Sequence, residues 1–108
     1  MNSVCLVGKL SRAPSVKFEN AGQQTTTFTL AVQEPSREGG KPFTLYVGCI
    51  AWGRAAEACS LLKSEDLVSI VGRLAWTKRK GQYGTEHSVL CVNVREVVVL
   101  DAAVEVPA

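Results

Sequence analysis

The sequence predicts an all-β fold: a five-stranded antiparallel barrel, closed on itself, with one short helix between its third and fourth strands. Three observations predict it. β-Branched and apolar runs bounded by Gly, Pro and Asn recur along the chain, and five are long enough to be strands. Only residues 54–63 (RAAEACSLLK) place alanine and leucine at helical spacing. The 108 residues suffice for one hydrophobic core and not for two.

The first strand is read over residues 3–10 (SVCLVGKL), where Gly8 marks a bend that lets the strand curve round a barrel. A turn at Arg12-Ala13-Pro14 follows, and residues 16–19 look extended. Asn20-Ala21-Gly22 is turn chemistry, with Gly22 free to take positive φ. Residues 25–32 alternate: Phe28, Leu30 and Val32 share one face, Thr27, Thr29 and Ala31 the other, as in a half-buried strand. Residues 34–42 are rich in Pro, Gly and charge and read as a mobile hairpin loop. The third long strand is residues 43–52.

In the helix, Ala55, Ala58, Cys59 and Leu62 fall at helical spacing. The fourth strand is read from Leu67 to Ala75 or Trp76, with Gly72 inside it. Residues 78–84 (KRKGQYG) are a basic, glycine-bounded hairpin tip, and residues 87–100 return as a long valine-rich strand. The domain is placed at residues 1–101 and a flexible tail at 102–108. One helix between the third and fourth strands of a five-stranded closed sheet is the OB-fold arrangement.

Composition narrows the function. Apolar residues make up 46% of the chain, too many for a disordered segment. No apolar run approaches the roughly 20 residues of a membrane span. Met1-Asn2-Ser3-Val4 has no basic region leading into an apolar stretch, so no secretory signal is expected and the cytoplasm is the default location. Cys5, Cys49, Cys59 and Cys91 are scattered, with no C-x-x-C pair and no neighbouring histidine, so reduced thiols are expected rather than a metal site or disulfides. His87 is the single histidine and has no adjacent nucleophile; Glu65-Asp66 reads as a polar turn. No catalytic site, cofactor or small-molecule substrate is expected.

The net charge of +2 is uninformative, but its distribution is not. Lys9, Arg12 and Lys17 lie early, Arg37 and Lys41 flank a glycine pair in a loop, Arg54 opens the helix, and Arg73, Lys78, Arg79 and Lys80 follow later. These are the candidate phosphate contacts, segregated from most of the acidic residues. Tyr46 and Trp52 stand six apart on one strand, so both point to one face with Gly48 and Ile50 between them. Trp76 and Tyr83 interleave with the basic tip. Flat side chains among cations are what sequence-tolerant binding of single strands requires.

Three stretches resemble the bacterial single-stranded DNA-binding protein family. Residues 2–10 (NSVCLVGKL) are similar to its N-x-V-x-L-x-G-x-L strand, residues 28–32 (FTLAV) to its second strand, and residues 68–74 (VSIVGRL) to its V-x-I-x-G-R-L. The resemblance implies an OB core that wraps single-stranded DNA in replication, recombination and repair, nucleoid-associated in the cytoplasm, as a homotetramer or a dimer. It also implies stacking by Tyr46 and Trp52, and it matches Phe18 and Arg54 to an aromatic and a basic family position. The first strand is expected to pair with its copy in another subunit. Departures are a family aromatic replaced near Ser36, another by Arg79, and a family histidine by Val47. The family's acidic tail has no counterpart among these residues. A dimeric primosomal accessory OB protein bridging a helicase to DNA is the alternative, and an oligosaccharide- or protein-binding OB module a third reading.

Overall fold

A computed structural model of the chain describes residues 1–19, 22–36 and 38–103, without the side chains of Arg79, Lys80 and Gln82. Among the described residues the order is β1 (Val4–Leu10), β2 (Ser15–Phe18), β3 (Gln24–Glu34), β4 (Phe43–Trp52), α1 (Gly53–Ser60), β5 (Leu67–Lys80) and β6 (Glu86–Asp101). Five strands form a ring, β1–β5–β6–β4–β3, which closes through Lys9↔Ala31 and Leu10↔Leu30. The helix lies between the third and fourth strands of that ring, as an OB-fold requires. β2 stands outside it, paired with β3 alone.

The core follows the alternation. Phe28, Leu30 and Val32 are buried and meet Leu10, Val68, Ile70, Val92 and Val94 from the other strands. α1 packs on β3, β4 and β6 and contributes Ala56 and Cys59, with Leu62 added just beyond its end. Thr26 is buried there and donates its hydroxyl to the Ala56 carbonyl at 2.7 Å, which satisfies a polar group inside the core. Two in-strand glycines mark close approach of backbones. A side chain at Gly8 would run into the Ala31 carbonyl, and one at Gly72 into that of Asn93, where β6 carries a bulge.

The structure differs from the sequence reading in several places. β4 and β6 pair in parallel, at Cys49↔Val92 and Ile50↔Asn93, because ring closure joins strands that no hairpin connects. β5 continues to Lys80, since the β5–β6 ladder runs unbroken into the basic tip. The α-helix ends at Ser60, and Leu61 and Leu62 finish it with tighter turns to the Ala58 and Cys59 carbonyls. Ala56 is buried in the core, whereas Ala58 is exposed.

Asp66, read as part of a polar turn, is buried. Its carboxylate accepts the Lys63 N–H and the Ala103 N–H, each at 2.8 Å, while its own carbonyl accepts the Leu10 N–H at 3.1 Å. These backbone donors hold the carboxyl below its ordinary value of 3.8. The first residues of the expected tail are therefore held to the barrel. Residues 104–108 lie outside the described residues, as do Asn20, Ala21 and Arg37. Gly22 does adopt positive φ, at 77°.

Candidate nucleic-acid interface

β4 supplies the centre of the site. Its alternation turns Val47, Cys49 and Ala51 toward the barrel interior and Tyr46, Gly48, Ile50 and Trp52 outward. Tyr46 is 69% exposed and Trp52 40%, both high for aromatics with no structural need to meet water. At about 3.3 Å per residue the two rings are rooted roughly 20 Å apart. β3 fills the adjacent row with small side chains: Ala31 opposite Tyr46, Thr29 opposite Gly48, Thr27 opposite Ile50 and Thr25 opposite Trp52. β2 extends two of these rows, pairing Ser15 with Thr27 and Lys17 with Thr25.

A groove of about 640 Å³ runs over this surface, its wall including Tyr46, Gly48 and Thr29. Gly48 leaves it open, since a β-carbon there would meet nothing within 4 Å. Arg12, Lys17 and Lys78 line it and supply its positive charge. In the row Lys17–Thr25–Trp52, the buried Thr25 hydroxyl has no hydrogen-bond partner among the described residues. On its far side Tyr46 also lines a second groove, of about 610 Å³, between β1 and the β3–β4 surface. Lys9 is the cation of that groove and Glu65 its carboxylate.

The β5–β6 arm bounds the first groove through Thr77, Lys78, Val89 and Leu90. Trp76 pairs with Leu90 in register, and both are exposed together with Leu74. At the tip, Gly81 donates to the Thr85 carbonyl at 2.7 Å, and the His87 ring sits where a Gly81 side chain would go. Tyr83 holds φ at 70° and is fully exposed, an uncommon backbone state for a non-glycine residue.

Several predicted residues are not brought into the grooves. Phe18 takes the opposite face of β2 from Lys17. It pairs with Gln24, whose amide nitrogen lies 3.5 Å from the Ala56 carbonyl on the helix side. Lys41, Arg54, Arg73, Trp52 and Trp76 line neither groove, although Trp52 ends the Lys17–Thr25 row and Trp76 sits beside Leu90. Arg37 lies outside the described residues, as do the side chains of Arg79 and Lys80.

Nucleophilic chemistry finds no footing in the buried thiols. Burial pushes Cys49 up to about 12, with Cys59 and Cys91 nearby adding to it, and burial pushes Cys59 up to about 11. Both are neutral at physiological pH and therefore weak nucleophiles. Among the described residues no group of three or more His, Cys, Asp or Glu side chains is placed to hold a metal ion. No described helix is long and apolar enough to cross a membrane.

Sequence reasoning missed the threonine platform and the pair formed by Gln33 and Thr44, whose amide N–H donates to the hydroxyl at 3.0 Å. Outward threonines alternating with core residues on β3 were the available signal for the first. The second depends on the β3–β4 register, which the sequence leaves open.

Comparison with known proteins identifies relatives of the chain. Single-stranded DNA-binding protein 3 of Listeria innocua is 32% identical over 104 residues, a match covering 94% of this chain and 65% of that protein. The single-stranded DNA-binding protein of Clostridium tetani is 33% identical over 103 residues, covering 94% and 71%. Single-stranded DNA-binding protein A of Bacillus subtilis is 31% identical over 103 residues, covering 94% and 60%. The chain thus spans about two thirds of the length of these relatives. The sequence model of the single-strand binding protein family matches residues 1–100, and the chain belongs to that family.

Proposed function

We propose that the chain binds single-stranded DNA with little regard to sequence and protects exposed strands during replication, recombination and repair. The observation that carries this reading is the outer face of β4, where Tyr46 and Gly48 line an open groove with Arg12, Lys17 and Lys78, and exposed Trp52 continues the same face beyond it. Bases stack on Tyr46 and Trp52, and further out on Trp76 and Tyr83, while Arg12, Lys17 and Lys78 follow the phosphates. Lys9, Lys41, Arg54 and Arg73 extend the positive surface. Stacking on π-faces and pairing with phosphates are both indifferent to base identity, which suits a strand-coating protein. The names of the relatives support the same ligand.

The protein acts in the cytoplasm, associated with the nucleoid, as a homo-oligomer, a tetramer with a dimer as the alternative. β1 meets β3 only at Lys9 and Leu10, which leaves its outer edge open over most of its length. The row Val7–Ser69–Val98 crosses β1, β5 and β6 with both valines exposed, an apolar face suited to a second copy. The reading is tested by comparing affinity for oligo(dT) with that for a duplex of equal length. Preference for the single strand by about tenfold or more is expected from base stacking. Equal affinity would leave only non-specific charge attraction.

A further inference from the structure

The second groove contains a polar pair that strand coating alone does not require. Register places Lys9, Ala31 and Tyr46 in one row across β1, β3 and β4, and Gln33 opposite Thr44 one row further on. All five line this groove. Small Ala31 between the cation and the aromatic leaves a slot about two strand spacings, roughly 10 Å, across. Thr44 and Tyr46 are two apart on β4, so the Gln33–Thr44 pair stands beside the Tyr46 ring on the same face.

The hydrogen bond between Gln33 and Thr44 fixes the amide at the edge of the slot. One Gln33 N–H is used by the Thr44 oxygen. The amide oxygen and the second N–H stay available, as a donor beside an acceptor. Such a pair matches a base edge that itself presents a donor beside an acceptor. Adenine is the one base that offers it from both of its edges, with the 6-amino group donating and N1 or N7 accepting. Its two rings also give the larger surface to stack on Tyr46.

We infer that Lys9, Tyr46, Gln33 and Thr44 form a nucleotide subsite that favours adenine within an otherwise sequence-tolerant track. This rests on the single-strand reading above. Tyr46 stacks the base, Gln33 reads its edge, Thr44 orients Gln33 and Lys9 takes the adjoining phosphate. Glu65 at the groove wall disfavours phosphate on its own side and sets the strand toward Lys9.

The experiment measures affinity for oligo(dA) and for the same oligomer with every adenine replaced by purine, which keeps the rings and lacks the 6-amino group. Oligo(dT) serves as the reference strand. The wild-type protein should bind the adenine strand about fivefold or more tighter than the purine strand, the lower end of what a bidentate base contact supplies. In Gln33→Leu, an exposed change that leaves the core untouched, the two should be equal while oligo(dT) binding persists. Equal affinities in the wild type, or an unchanged ratio in Gln33→Leu, would overturn the subsite and leave strand binding standing. Failure to bind any of the three oligomers would overturn the single-strand reading and the subsite with it.

Discussion

Asn2 is bonded through both ends of its carboxamide to the backbone of Leu74, 72 positions away: its Nδ2 donates to the carbonyl at 2.9 Å, and the Leu74 N–H donates to its Oδ1 at 2.8 Å. The side chain thus imitates one more residue of β1 pairing with β5. It ties the start of the chain to the root of the β5–β6 arm. Asn2→Ala should lower stability by about 1 kcal/mol, the net worth of such bonds at an exposed site. Urea denaturation measures it, and faster amide exchange at Leu74 should accompany the loss.

Asp66 anchors the end of the helix and the residues after β6. Asp66→Asn places an amide where two backbone N–H groups converge, and a loss of about 1–3 kcal/mol at neutral pH is expected. The pH dependence has a defined sign. The folded carboxyl titrates below 3.8, so its stabilisation is complete above that value and disappears as pH falls through the lower folded value. The gap between wild type and Asp66→Asn in urea midpoint should therefore be widest near neutrality and narrow below pH 3.8.

Gly48 separates the binding role of the groove from its structural one. A β-carbon there meets nothing within 4 Å, so Gly48→Val should keep stability within about 1 kcal/mol of wild type. The same branched side chain projects into the groove between Tyr46 and Trp52. Oligo(dT) affinity should fall about tenfold, comparable to losing one stacked base. Calorimetric melting and fluorescence anisotropy together check both halves.

Val98 tests the assembly. It lies exposed in the same row as Val7 and itself lines neither groove. Val98→Asp puts a charge into the centre of the proposed subunit contact, where burial without a partner costs several kcal/mol. Sedimentation equilibrium should show a multimeric wild type and a smaller species for the variant. A wild-type monomer would contradict the assembly and leave the fold unaffected.

How much of this was legible in the sequence varies with the kind of signal. The buried face of β3 was readable because Phe28, Leu30 and Val32 keep a period of two against outward threonines. Tyr46 and Trp52 could be put on one face by parity alone. Gly8 was read as a bend in its strand, whereas the close backbone approach at Gly8 and at Gly72 depends on strand register and emerged only in the fold. The parallel β4–β6 closure was not readable, because nothing local links Cys49 to Val92. The burial of Asp66 was not readable, because a charged residue in a turn is ordinarily solvated and only the folded positions of Lys63 and Ala103 bury it. The face Phe18 takes was not readable for a related reason: it is set by register with Gln24, which its own segment does not encode.

The most direct measurement is titration of the intrinsic tryptophan fluorescence with oligo(dT) at a series of salt concentrations. Trp52 and Trp76 are the only tryptophans, so quenching reports bases arriving at the proposed track. If Lys9, Arg12, Lys17 and Lys78 each neutralise one phosphate, log affinity should fall with log salt at a slope of about −3. Strong quenching with a slope near that value is the expected result. Unchanged fluorescence and affinity indifferent to salt would make the exposed aromatics structural and contradict single-strand binding on this face.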